Sequence, residues 1–313
     1  MSARHAAPVT VVSHALLPPD LAQAHSLERQ AWQAALPTHP ALRQALKQRQ
    51  PHDAQHLDAP HEWAQAQAMG WPLMPGLLGW AAQSAAQQGL SCPPEQGWAF
   101  INLVHWRVDQ GQVHLHHPGS ISLAEDQALL NSMSPYFLED GIHLHAFQAG
   151  RWLAHSVHFK HLPSASLDQV MGRSMTAWLN TDDLAQQSDT QRLLRRLQNE
   201  MQMLLYTHAV NEQRAISLNS FWWSGTGEAP PASLHTVSLH PALRDAYLAQ
   251  DPSAWGAQWQ ALAHEVMLPA LQNGHRLLLC GEQAIVQLQT PPPGLLQGLK
   301  NLWPQAALHE VLS

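Results

Sequence analysis

Hydrophobic and polar positions change period several times along this chain. Val9–Val12 is a short apolar run that predicts a buried first strand, followed by a loop at Pro18–Pro19. From Leu21 to about Arg49 an Ala/Gln/Leu-rich pattern predicts helix, broken near Pro37 and Pro40. Gln50–Ala59 is polar and reads as a loop. Helical pattern returns at Pro60–Met69 and Leu77–Gln88, on either side of the turn-rich Gly70–Gly76.

Beyond Cys92-Pro-Pro the period becomes two. Phe100, Asn102, Val104 and Trp106 alternate with Ile101, Leu103 and His105, and Asp109-Gln110-Gly111 turns the chain into Gln112–His116. This is a hairpin pattern. A second pair, Ile142–Phe147 and Arg151–Phe159, is divided by Gln148-Ala149-Gly150. Between the pairs, Ser122 stands three residues before Glu125 and predicts a capped helix over Leu123–Ser132.

Leu167–Val170 and Met175–Leu179 read as short pieces of a connection. A long helix follows, capped by Ser188 or Asp189, with Leu194, Leu197, Met201, Leu204, Leu205 and His208 on one stripe. A strand over Leu218–Trp223 is expected to end in a turn at Ser224-Gly225-Thr226-Gly227. Trp255–Leu271 predicts another helix, and Arg276–Cys280 with Ala284–Leu288 a last hairpin.

These elements predict a mixed α/β fold with a substantial antiparallel part. The expected organisation is one domain over 1–313: residues 1–95 mainly helical, 96–160 antiparallel β, and 161–313 α/β.

Composition narrows the function classes. Only 12% of residues are charged, about half the usual share, so the polar surface leans on Gln, Ser, Asn, Thr and His. The formal charge of −7, without a basic run, argues against nucleic-acid binding. Cys92 and Cys280 form no CxxC pair, which argues against a disulfide framework or a cysteine-rich zinc site. Val9–Val12 is too short for a signal sequence and no apolar stretch reaches membrane-span length. The expectation is a soluble protein of a reducing compartment, with bacterial cytoplasm fitting best and no membrane partner.

Candidate chemistry concentrates between Leu197 and Pro230. His208 and Asn211 continue the buried stripe at the helix end, where they either bond the last free carbonyls or form the polar wall of a pocket. Arg214 is either a favourable charge near that helix end or an anion ligand. Asn219 precedes the aromatic strand, and a glycine turn at Ser224, Gly225, Thr226 and Gly227 would leave amides free to approach an oxyanion. Trp222 and Trp223 read as core.

The 22 histidines include i, i+2 pairs at His114/His116 and His143/His145, with His155 and His158 less neatly spaced. Adjacent strands carrying such pairs can bind zinc, but enrichment along the whole chain favours chance, and no metal site or cofactor is expected. GxSxG, Walker and dinucleotide motifs do not occur.

The run His208-Ala209-Val210-Asn211, then Arg214, Asn219, Phe221-Trp222-Trp223, Gly225-Thr226-Gly227 and Pro230, resembles the archaeal-type cofactor-independent phosphoglycerate mutases of the alkaline-phosphatase superfamily. Pro163, Val170-Met171-Gly172-Arg173 and Trp178-Leu179 resemble the preceding connection. Gln198–Leu205 and Leu279-Cys280-Gly281-Glu282 are closest to a proteobacterial offshoot labelled either phosphoglycerate mutase or RpfE-type regulatory protein. Residues 160–230 carry the specific match, and residues 95–160 and 250–285 a weaker one.

The resemblance implies a phosphatase-type sandwich, here truncated, and in the enzymes two metal ions with a Ser or Thr nucleophile. This sequence departs from that pattern. Its first strand ends Val12-Ser13-His14 where the family carries an acidic ligand motif, Ala209 replaces a proline, and Gly274-His275 lacks the following Asp. Two-metal phosphoryl transfer needs several carboxylates. The resemblance therefore implies a metal-free regulatory or small-anion-binding protein, with a phosphorylated or carboxylate metabolite held by His208, Asn211, Arg214, Asn219 and Ser224–Gly227. A protein partner is a further expectation. The rival is a phosphoryl-transfer enzyme, mutase or phosphatase, drawing on Asp140, His143, His145 and His208.

Overall fold

The computed structural model describes residues 8–18, 26–35, 42, 45–53, 55–109, 111–175, 178, 188–233 and 235–289. In chain order these form β1 (Val9–Val12), α1 (Ser26–Ala35), β2 (Leu46–Pro51), α2 (Pro60–Met69), α3 (Trp80–Gln87), β3 (Gly97–Asp109) and β4 (Gln112–His116). Then come α4 (Leu123–Glu139), β5 (His143–Gln148), β6 (Arg151–Ser156), α5 (Leu167–Val170), α6 (Asp189–Tyr206), β7 (Ser220–Gly227) and β8 (Val237–His240). The remainder is α7 (Arg244–Leu248), α8 (Pro252–Leu262), α9 (Leu268–Gln272), β9 (Arg276–Cys280) and β10 (Ala284–Gln289). The fold is mixed α/β, as the periodicity predicts. No helix among the described residues is long and apolar enough to cross a membrane.

The chain groups into two compact units. The first comprises Met1–Ala54, Ala59–Trp71 and Ala232–Ser313. Its sheet has the order β2-β10-β9-β1-β8, with β1 parallel to both β8 and β9, and β10 antiparallel to β9 and β2. Side chains alternate between two apolar layers. Val12, Leu277, Leu279, Val286 and Leu288 join Trp32, Trp255, Trp259 and Met267 on one face. Val9, Val11, Leu278, Cys280 and Ile285 meet Ala64 and Ala68 of α2 on the other. A parallel strand covered on both faces is buried along its length, which is why Val9–Val12 is valine at three positions and β-branched Thr10 at the fourth. Helices α1 and α8 pack closely because residue 256 is glycine: a Cβ there would lie 2.8 Å from Ala35 Cβ.

The second unit comprises Gln55–Asp58 and Pro72–Pro231. Its sheet is antiparallel, in the order β4-β3-β6-β5, and β7 also pairs with β3. The long β3 is the hub, carrying β6 and β7 along its first part and β4 along its last. The expected helix caps form: Ser122 with Glu125, and Ser188 with Gln191, each make a reciprocal capping box. The stripe of α6 buries Leu194, Leu197, Met201 and Leu205 against Phe221 and Trp223.

Two local expectations are corrected. Helix was expected through Arg49, but Leu46–Pro51 is a strand paired antiparallel with β10. The expected breaks at Pro37 and Pro40, and the end of the Met175–Leu179 piece, lie outside the described residues. At Leu46–Pro51 strand pairing overrides local composition, since β10 offers an edge that backbone groups must satisfy. Likewise Ser224–Gly227 is not a turn after the aromatic strand but its continuation, because β7 runs to Gly227. Gly225 takes φ 62° and the register with β3 shifts between Trp98 and Phe100, so the glycines make a bulge within the ladder.

Candidate functional site

The residues singled out from the sequence bond mainly to the chain itself, and they divide into two groups: His208, Asn211, Arg214 and Asn219 precede β7, whereas Ser224–Gly227 form its end. His208 caps a short 3-10 turn by accepting from the Val210 amide at Nδ1, and its Nε2 lies 3.0 Å from Ser132 Oγ. Asn211 Nδ2 donates to the carbonyls of Leu205 and Leu218, both at 2.7 Å, and its Oδ1 accepts from the Leu218 amide. Asn219 pairs with Trp106 in the same reciprocal way, at 2.7 and 2.8 Å.

Arg214 is also engaged. Its guanidinium donates to the Pro118, Ser120 and Ile216 carbonyls and pairs with Glu125 at 2.8 Å, with its side chain 9% exposed. Glu125 is held down to about 2, first by hydrogen bonds from Ser122 and then by Arg214. In the strand, Ser224 Oγ accepts from Asn102. Thr226 Oγ1 donates to the Leu162 carbonyl and accepts from Ser164, whose Oγ in turn accepts from the Thr226 amide. A Cβ at Gly225 would lie 3.0 Å from the Phe100 ring. This set clamps α6, α4 and β7 together. Trp222 and Trp223 are core, as expected.

The rival set is not gathered. Asp140, at the end of α4, pairs with Arg196 of α6. His143 and His145 lie on β5, stacked with His155, and His208 sits against Ser132.

A different group stands at the carboxyl end of β1, in the first unit. There Ser13 and His14 are buried, and His14 adopts the left-handed backbone region at φ 53°. The loop is pinned by two indoles one turn apart on α8: Trp255 Nε1 donates to the His14 carbonyl at 2.8 Å, and Trp259 Nε1 to the Ala15 carbonyl at 3.0 Å. The Ala15 amide donates to the Cys280 carbonyl and the Ser13 amide to the His240 carbonyl, so the ends of β9 and β8 frame the loop.

The His14 ring lies 5.6 Å from buried His61 of α2 and 5.2 Å from Tyr247 of α7. Ser13 Oγ is buried without a hydrogen-bond partner among the described residues. Burial lowers the basicity of His240 and pushes the Cys280 thiol up. In parallel α/β sheets the carboxyl ends of the strands are where ligands bind, and non-glycine residues held at positive φ cluster at functional sites. The sequence signal for this group was faint. It consisted of a Ser-His pair following a short, mostly apolar strand.

One more titratable group stands out. Asp58, in the second unit, accepts from the Gly76 amide at 2.8 Å, and burial pushes its carboxyl up to about 7 against the pull of that bond.

No protein-family model matches the chain, and no curated protein matches it. Among solved structures it is distantly similar to the cofactor-independent phosphoglycerate mutase from Thermoplasma acidophilum DSM 1728. That match has TM-score 0.32 and 12% identity, over 94% of this chain and 92% of that one. It is also similar to the PH0037 protein from Pyrococcus horikoshii, at TM-score 0.41 and 9% identity, over 90% of this chain and 87% of that one.

Proposed function

We propose that this chain is a phosphoglycerate mutase-like protein that binds a small anionic metabolite and serves a regulatory role in the cytoplasm, with the ligand held at the carboxyl end of β1. The observation that carries this reading is the loop Ser13–Ala15: a left-handed His14 fixed by Trp255 and Trp259, beside a buried Ser13 hydroxyl without a partner among the described residues. Hydroxyl and imidazole groups can donate to an acidic group. The sequence Val12-Ser13-His14 puts no carboxylate where the resembled enzymes carry a metal-binding one, which favours binding over two-metal phosphoryl transfer. The Arg214 set, whose donors are turned to carbonyls and to Glu125, then supports the fold and not the ligand.

The test is calorimetric titration of the full chain with 3-phosphoglycerate and with inorganic phosphate. Ser13→Ala and His14→Ala should each weaken binding about tenfold or more, a loss of at least about 1.4 kcal/mol. Arg214→Ala, measured at a temperature where it stays folded, should bind as the parent does. Loss of binding in folded Arg214→Ala with unchanged binding in His14→Ala would return the ligand to the Arg214 set. Absence of binding by either probe to the parent would count against the phosphoglycerate-related reading.

A further inference from the structure

The second unit carries a histidine group that the proposed ligand site does not use. His143 of β5 and His155 of β6 are direct cross-strand partners, and their rings stack at 4.8 Å with planes 11° apart. His145 is two residues along β5, on the same face, and stacks on His155 at 5.2 Å. Trp98, opposite His155 on β3, closes the inner side, with ring centroids 5.0 Å from His155 and 5.6 Å from His145. His143 is exposed and the other two are half-buried, so the group opens to solvent at one end.

Two details point to a ligand. His155 Nδ1 lies 2.5 Å from Gln96 Oε1, which can only accept. The proton therefore sits on Nδ1, and Nε2 presents a lone pair. A hydrogen bond of this kind orients metal-binding imidazoles in proteins. Among the described residues His145 Nε2 is buried without a hydrogen-bond partner, which a coordinate bond would satisfy. The comparable group on β3 and β4, His105, His114 and His116, is wider at 6.4 Å, and His105 Nδ1 is engaged by the Ser217 carbonyl.

We infer that His143, His145 and His155 form a zinc site that ties the edge strand β5 to β6, with water completing the coordination. Three imidazoles and one open position suit zinc. As stacked, the three rings do not point at one centre, so binding asks them to turn out of the stack, the exposed His143 most freely. The geometry rests on the second unit alone and is independent of the site at β1.

The test uses untagged full-length protein stripped with chelator, then titrated with Zn2+ and with Co2+ as a spectroscopic stand-in. About one Zn2+ per chain, visible Co2+ d–d absorption and slowed amide exchange across β5 are expected. His143→Ala and His155→Ala should each weaken Zn2+ binding at least about tenfold, and Gln96→Ala about tenfold through loss of the orienting bond. Cys92→Ser should bind Zn2+ as the parent does. His143→Gln, at an exposed position, keeps the test valid if His155→Ala fails to fold. Absence of stoichiometric binding, or binding unchanged in the His143 variants, would overturn the site.

Discussion

Asn211 and Leu218 bond each other in both directions: the Leu218 amide donates to Asn211 Oδ1 at 2.8 Å, and Asn211 Nδ2 donates to the Leu218 carbonyl at 2.7 Å. The same Nδ2 reaches the Leu205 carbonyl near the end of α6. One side chain thus closes the helix and sets the entry to β7. Asn211→Ala should lower stability by about 1–3 kcal/mol, since it strands backbone groups in a half-buried place. Urea denaturation would read this as a lower midpoint at unchanged slope. Asn211→Asp should do comparable damage, because a carboxylate accepts but cannot donate.

Arg214 joins the segment after α6 to the loop that enters α4, through Pro118, Ser120 and Glu125. Arg214→Lys should not restore what Arg214→Ala loses, because an ammonium cannot reproduce the planar fork. Both should cost about 1–3 kcal/mol, and amide exchange should quicken over 118–125.

Asp58 makes stability depend on pH in the direction opposite to most carboxylates. Its folded pKa, about 7, lies above its ordinary value of 3.8. The folded state therefore holds the proton more tightly, and the contribution is complete below about pH 4 and lost as pH rises through 7. Asp58→Asn should stabilise the protein by roughly 2–4 kcal/mol at pH 8 and much less at pH 5. Thermal melts at the two pH values would show whether the gap widens upward.

Gly256 has no spare room. A Cβ there would lie 2.8 Å from Ala35 Cβ and 2.9 Å from the Ala35 carbonyl oxygen. Gly256→Ala should push α8 from α1 and cost about 1–3 kcal/mol despite the better helix propensity of alanine. A raised melting temperature would contradict that packing.

Trp255→Phe keeps most of the ring volume but removes the donor to the His14 carbonyl. It should cost about 1–3 kcal/mol and weaken 3-phosphoglycerate binding, since the strained loop loses one of its two indole anchors. Weakened binding should persist at temperatures where circular dichroism shows the variant fully folded.

Legibility from sequence tracked how local the determinant was. The capping boxes at Ser122 and Ser188, the stripe of α6 and the hairpin of β9 and β10 depend on neighbours within a few residues. Strand β2 did not announce itself, because its partner β10 lies more than two hundred residues away. The polar residues of the 208–227 segment were visible, but residue type does not say whether a donor meets a ligand or a carbonyl. Arg214 and Asn211 proved to meet carbonyls. His14 was hidden for another reason. What sets it apart is a backbone angle imposed by indoles some two hundred and forty residues later.

The parallel pairing of β1 with β8 and β9 constrains the order of events during synthesis. When β1 leaves the ribosome, neither neighbour exists, and both follow the whole of Pro72–Pro231. At about 5–20 residues per second, the apolar Val9–Val12 waits on the order of ten seconds or more for its sheet. The second unit, nearly contiguous in the chain, can assemble during that interval. A nascent chain stalled before β9 is expected to engage holding chaperones through its first strand, whereas one released at full length is not.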